Sequence, residues 1–494
     1  MARWCAGRGA QVRVWDSRQE PPQAAALREA VPSAQQLTGA LDGDALTGVQ
    51  LVLKSPGLAP GDERIAPLLA AARAQGIAVS GELQLFIEAL AQLKADRGYA
   101  PQILAITGTN GKTTTTALTA LLVERAGRSV AMAGNIGPGL LDTLAAAIAA
   151  EQLPQVWVLE LSSFQLEGIQ GFAPAAATVL NLSQDHLDWH GDMAAYAQAK
   201  AQVFGVAGNH ATVMVINRDD VAVEAMVPVP VMVKGGRGKP AQATGPRVIR
   251  FGLDAPQRPG DYGLVVENGM AWLVRALEAD ETFKRLKGEA VEIHLQRLMP
   301  ADALRLRGRH NAANALAALA LAQAIGCPLA PMLHGLRDYR GEPHRVQFIA
   351  RCADIEVFDD SKGTNVGATV AALSGLGQDK APGKLLVILG GQGKGQDFSP
   401  LVAAVTRYAR GVALIGQDAG LIESVLITCG VPLLHHANLA AATAWCLAQA
   451  EAGDAVLLSP ACASLDMFRN YGHRAEVFVQ AVQAWAHEYG ETVV

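Results

Sequence analysis

The sequence runs to 494 residues, which at roughly 150 residues per domain corresponds to about three domains and excludes a single small binding module. Its 41 Lys and Arg against 46 Asp and Glu give a formal charge of −5 and a pI near 6.1, without the basic surplus that a general nucleic-acid binder needs to neutralise phosphates. Half of the residues are hydrophobic and 50 are glycine, so large-scale disorder is excluded and many strand-to-helix turns are expected.

Short β-branched runs recur at 11–15, 49–53, 102–106, 156–161, 177–182, 212–216, 385–389, 412–415 and 455–458, separated by glycine turns and alanine- and leucine-rich helical stretches. Strands alternating with helices predict an α/β protein whose mostly parallel sheets are covered by helices on both faces. Breaks near Lys94–Pro101 and Gly335–Pro343 divide it into three domains, 1–97, 98–341 and 342–494. Residues 226–300, rich in glycine, proline and charge, read as a partly irregular excursion of the middle domain. The six cysteines, at 5, 327, 352, 429, 446 and 462, form neither a Cys-x-x-Cys pair nor a dense framework, which suits a reducing, cytoplasmic compartment. Residues 1–10 lack the apolar core of a signal peptide. The richest alanine and leucine stretch, 312–326, is interrupted by Asn314 and Gln323, so no membrane span is expected.

The strongest local signal is 103–116, a buried strand followed by Gly108-Thr109-Asn110-Gly111-Lys112-Thr113-Thr114 and then a helix. Backbone N–H groups of such a turn and the helix N-terminus cradle an anion. Lys112 would neutralise phosphate oxygens, and the Thr113 hydroxyl would reach Mg²⁺, which makes this an ATP site. The spacing differs from the standard phosphate loop, because Ile106 stands six positions before Lys112.

Other residues share the ligand side that an open α/β sheet presents at its carboxyl edge. Glu160 ends the strand 156–161, where it reads as a Mg²⁺ ligand facing Thr113. His186 and Asp188 follow the next strand on the same rim. Asn311 and Asn314 lie at i, i+3 on one helical face and could offer donors and acceptors to an adenine edge. Arg345 lies just past the second boundary, so it can clamp a transferring phosphoryl group only when the third domain closes over the second; a surface arginine is the alternative. Asp360 and Lys362 follow a strand and could meet the ATP ribose and phosphates. Lys200, in the helical stretch 194–204, reads by itself as an ordinary surface lysine.

The phosphate loop resembles that of the amide-forming ligases of cell-wall peptide synthesis and of folylpolyglutamate synthase. The segments 160–167, 181–188, 308–314, 360–365 and 459–466 extend the resemblance from about residue 11 to residue 480. The last two point to the D-glutamate-adding branch of the cell-wall ligases. The resemblance implies that ATP phosphorylates the alanyl carboxylate of UDP-N-acetylmuramoyl-L-alanine and that D-glutamate then displaces phosphate, in a cytoplasmic monomer. It implies two Mg²⁺ ions held by Thr113, Glu160, His186 and a CO₂-derived carbamate on Lys200, the last turning a cation into an anionic ligand. Lys112, Glu160, His186, Lys200 and Arg345 would be catalytic. Asn135 and His186 would line the muramoyl substrate's path, a turn asparagine being the alternative for Asn135. Thr364, Lys394, Ser464 and Tyr471 would surround D-glutamate, whose carboxylates suit an ammonium and two hydroxyls. Ser17, Arg18 and Gly57 would bind UDP. Gly363 stands where alanine is usual, and Ala475, after Arg474, where glycine is common. Residues 1–9 read as the latter part of a helix that would follow a strand and glycine turn, so the first domain is expected to lack its central strand.

Overall fold

Two six-stranded sheets dominate the computed structural model, which describes residues 1–41, 43–206, 209–210, 213–233, 242–280 and 291–489. The strands of the middle sheet are β5 (Gln102–Thr107), β6 (Val130–Gly134), β7 (Val156–Glu160), β8 (Ala176–Val179), β9 (Val213–Asn217) and β10 (Arg247–Phe251). They lie in the order β10-β9-β8-β5-β7-β6, every pair parallel. Because side chains alternate across a strand, Leu104, Ile106 and Val158 enter one core while Ala105, Trp157 and Leu159 enter the other. Helices α3 (Lys112–Arg125) and α6 (Arg309–Ala324) fill the first core with Leu118, Leu122 and the alanine- and leucine-rich face of α6. Each leucine or valine so enclosed contributes about 1.5–3 kcal/mol. Within the 226–300 stretch the described residues combine irregular segments, such as 252–261, with regular strands, in keeping with a partly irregular excursion. Strands β11 (Tyr262–Glu267), β12 (Met270–Glu278) and β13 (Ile293–Pro300) form an antiparallel sheet that packs Leu273 and Met299 into the same core. Residues 234–241 and 281–290 lie outside the described residues.

The third sheet comprises β14 (Gln347–Cys352), β15 (Ile355–Asp359), β16 (Leu385–Gly390), β17 (Ala409–Ile415), β18 (Leu433–His435) and β19 (Ala455–Leu458). Its order is β14-β15-β19-β16-β17-β18, parallel except for the β14–β15 hairpin. Helices α7 (Val366–Lys380) and α8 (Tyr471–Glu488) start at Asn365 and Asn470, whose side chains accept the backbone N–H of Ala368 and His473, a cap worth about 1 kcal/mol.

The first domain is divided. Strands β1 (Arg13–Trp15) and β2 (Gln35–Leu37) form one parallel pair, and β3 (Leu51–Leu53) and β4 (Ala78–Ser80) another. Among the described residues no ladder joins β1 to β3. Helix α1 (Ala2–Ala6) shares a core with α2 (Glu82–Arg97) and with α4 (Leu140–Ala149) of the middle domain, its Trp4 grouped with Leu83, Phe86 and Leu90 of the first and Leu140 and Leu144 of the second.

Candidate active site

Register brings the carboxyl ends of three strands together, since Ile106 of β5 pairs with both Glu160 of β7 and Thr178 of β8. The phosphate loop leaves β5 at this edge. Gly108 and Gly111 have φ of 151° and 81°, and a Cβ on Gly111 would come within 2.6 Å of the Asn314 Oδ1. Glycine is therefore required at this turn both by conformation and by close approach. Asn181 fixes the loop from the next strand: its backbone O accepts Thr109 N (2.9 Å), its Oδ1 accepts Asn110 N (2.8 Å), and its Nδ2 donates to Asn110 O (3.1 Å). The sequence placed Asn181 in a motif without giving it this role. Lys112 folds back over the loop, with Nζ donating to the carbonyls of Gly108 (2.9 Å) and Thr109 (2.8 Å). Burial lowers its pKa, and the Glu160 charge opposes that.

Lys200 is 2% exposed, which overturns the surface-lysine reading. Helix α5 (Met193–Ala201), capped by Asp192, carries it under the phosphate loop, where Nζ donates to Gly108 O at 2.8 Å and lies 4.6 Å from the Tyr196 ring centroid. Burial first, then the charge of Lys112, drives its pKa well below the usual lysine value. Glu160 is buried as well. Asn135 Nδ2 donates to its Oε1 at 3.0 Å, while Oε2 is buried and has no hydrogen-bond partner among the described residues. That free carboxylate oxygen fits a hard, oxygen-preferring cation such as Mg²⁺. His186 sits on the rim in a left-handed conformation (φ 53°), 3.5 Å from Asp185 and with its ring edge-on to Phe164. Burial lowers its pKa. Among the described residues no three His, Cys, Asp or Glu side chains form a metal-binding group, so a metal here needs donors of other kinds, such as the Thr113 hydroxyl.

The third domain closes on this loop. Arg345 Nη2 donates to Thr113 Oγ1 at 2.6 Å, and Asn110 and Asn365 exchange amide hydrogen bonds of 3.3 and 3.1 Å. Asn311 Nδ2 donates to Arg307 O (2.8 Å), and Asn314 Nδ2 to Asn311 Oδ1 (3.1 Å), while Asn314 lies against Gly111 of the loop. Arg305, Arg307, Asn311, Arg340, Arg345 and Phe348 help line a cavity of about 310 Å³ beside it. Asp360 turns inward, accepting Ser459 Oγ (2.6 Å) and Val346 N (3.3 Å), and burial pushes its carboxyl up to about 7. Lys362 lies 5.2 Å from the Tyr471 ring centroid. The bridge between Gln392 and Ala463 sets the Lys394 turn beside Ser464, and Gln396 joins that turn to Val366 N and Ala461 O. Thr364, Lys394, Ser464 and Tyr471 therefore lie on segments at the carboxyl edge of β15, β16 and β19. Ser17, Arg18 and Gly57 are not brought together in this way: Ser17 and Arg18 follow β1 and Gly57 follows β3, on separate strand pairs, and Arg18 is engaged with Asp16 (2.9 and 2.8 Å).

Fold and site thus define a three-domain α/β enzyme of the nucleotide-phosphate class, in which one domain carries the phosphate loop and the next sends an arginine into it. The Mur ligase middle domain matches residues 106–322, the Mur ligase glutamate ligase domain 344–462, and the Mur ligase MurD-like N-terminal domain 1–81. The UDP-N-acetylmuramoylalanine–D-glutamate ligase of Albidiferax ferrireducens is 62% identical over 492 residues, covering 99% of this chain and 94% of that protein. That of Burkholderia pseudomallei is 56% identical over 503 residues, covering 100% and 96%. The crystal structure of the MurF ligase from Thermotoga maritima in complex with ADP shares the fold at a TM-score of 0.56 and 16% identity, covering 97% of each chain. The chain belongs to the Mur ligase family, in the group of the UDP-N-acetylmuramoylalanine–D-glutamate ligases.

Proposed function

We propose that the chain joins D-glutamate to UDP-N-acetylmuramoyl-L-alanine in peptidoglycan precursor synthesis, converting ATP to ADP and phosphate through an acyl phosphate. The observation that carries this is Arg345: its Nη2 lies on the phosphate-loop hydroxyl of Thr113, while its Nε is buried without a partner among the described residues. A guanidinium with an unused donor at a phosphate loop suits a phosphoryl group in transfer. Gly108 to Thr114 hold the ATP phosphates, Lys112 leaves its two carbonyls to neutralise them, and Asn311, Asn314, Asp360 and Lys362 shape the rest of the nucleotide site.

Thr113, Glu160, His186 and Lys200 would hold Mg²⁺, which when bound offsets the negative charge that repels an attacking carboxylate from ATP. Lys200 is suited to carbamate formation because burial beside Lys112 favours its neutral amine, the form whose lone pair adds to CO₂ with loss of one proton. Asn135 and His186 orient the alanyl carboxylate. Thr364, Lys394, Ser464 and Tyr471 receive D-glutamate, and its neutral amine attacks the acyl carbon. An amide C–N bond forms as the C–O bond to phosphate breaks. Ser17, Arg18 and Gly57 bind UDP. The enzyme works as a cytoplasmic monomer, a setting consistent with free Cys5, Cys327, Cys429, Cys446 and Cys462. No helix among the described residues is long and apolar enough to cross a membrane.

The test is ADP release with UDP-N-acetylmuramoyl-L-alanine and a panel of acceptors. Release should require both the UDP substrate and D-glutamate. Release at the same rate without an acceptor, or with another amino acid preferred, contradicts the proposal.

A further inference from the structure

The segment that delivers Arg345 is strained on both sides. His344 and Val346 have φ of 64° and 48°, in the left-handed region that non-glycine residues rarely enter and that a β-branched valine enters only as an outlier. Such strain persists where surrounding structure over-determines it and concentrates at functional sites. Here the surroundings can be named. His344 N donates to Gln347 Oε1 at 3.0 Å, and Lys362 N donates to His344 O at 3.2 Å. His344 Nδ1 meets Asp359 Oδ2 at 2.7 Å, and Val346 N donates to Asp360 Oδ1 at 3.3 Å.

Asp359 is the central element of this arrangement. It ends β15, its side chain is 1% exposed, and its other oxygen accepts Ser361 N (2.9 Å) and Ser361 Oγ (2.5 Å). One buried carboxylate thus fixes both the strand-end turn and the ring of the residue preceding Arg345.

We propose that Asp359, acting through His344, is a positioning residue that holds the strained 344–346 segment so that the Arg345 guanidinium projects across the domain boundary onto Thr113. The inference rests on the reading of Arg345 as the phosphoryl clamp. Nothing local in the chain marks it, because adjacent aspartates at a strand end look alike until one is seen to hold His344 and the other Val346.

Asp359→Asn keeps the size of the side chain and an acceptor for Ser361, and changes the His344 contact. A small displacement of a transition-state group costs about 10²-fold, so kcat should fall by that order while KM for D-glutamate and for the UDP substrate stays within about twofold. His344→Ala removes the same contact from a partly exposed position and should reproduce the loss, and the double variant should be no worse than either alone. In an Arg345→Ala background Asp359→Asn should have no further effect on residual turnover. Unchanged kcat in His344→Ala overturns the proposal even if Asp359→Asn fails to fold, and so does a full additional loss in the Arg345→Ala background. Wild-type kcat in Arg345→Ala alone would refute the clamp reading instead, which keeps the two failures distinct.

Discussion

The first and third domains are both parallel α/β units that the proposal gives a substrate, yet they are built to different standards. In the third domain β16 and β19 are buried along their whole length, and continuous register carries three strand ends to one edge where Lys362, Thr364, Lys394 and Ser464 gather. In the first domain the four strands have three residues each, none of them buried, and they form two pairs without a shared neighbour. Loops at a sheet's carboxyl edge make one site only when the strands beneath them share a ladder, because the ladder fixes the distance between their ends. The carboxylates show the same contrast. Asp360, buried, is pushed up to about 7, whereas Asp16, exposed and paired with Arg18, is drawn down to about 2.

The sharpest loss should come from the ordered side of this comparison. Lys112→Ala should lower kcat by about 10²–10³-fold or more, as removal of a transition-state charge partner does, and leave the unfolding midpoint nearly unchanged. A folded variant with near-normal ADP release would break the assignment. Next in size, Ile388→Ala in fully buried β16 should cost about 2–5 kcal/mol, against about 1 kcal/mol or less for Val52→Ala in half-buried β3. Urea titration of both variants measures the difference, and equal costs would remove the contrast.

Asp360 contributes a pH dependence of definite sign. Its folded pKa lies above its unfolded one, so the folded state binds more protons between about 4 and about 7. Its contribution to stability is present at low pH and is lost as pH rises through 7. Asp360→Asn should flatten that slope between about pH 4 and about pH 7, and an unchanged slope would assign it elsewhere. The smallest expected effect is Arg3→Ala, which removes an exposed ion pair to Asp142 and should cost less than about 1 kcal/mol.

Much of this was legible in sequence because the signals were local. A β-branched run before a glycine turn and Lys112-Thr113 located the phosphate loop, and the strand ends located Glu160 and His186. What escaped depends on contacts between distant segments. Nothing near Lys200 in the chain reveals that α5 carries it beneath Gly108, and Asn181 acquires its role only when β8 pairs with β5. The hairpins within 226–300 escaped because turn composition outweighed the short apolar runs of β11 and β12. The strain at His344 and Val346 is a property of backbone angles, which residue type at those positions argues against rather than for.

The central claim is that the phosphate loop and Arg345 pass a phosphoryl group to a substrate carboxylate rather than to water. Turnover with heavy oxygen in the alanyl carboxylate of UDP-N-acetylmuramoyl-L-alanine tests it most directly. An acyl phosphate leaves one carboxylate oxygen on the phosphorus when D-glutamate attacks the carbon, so the released phosphate should carry one heavy oxygen for each amide formed. Unlabelled phosphate released together with amide would contradict the account.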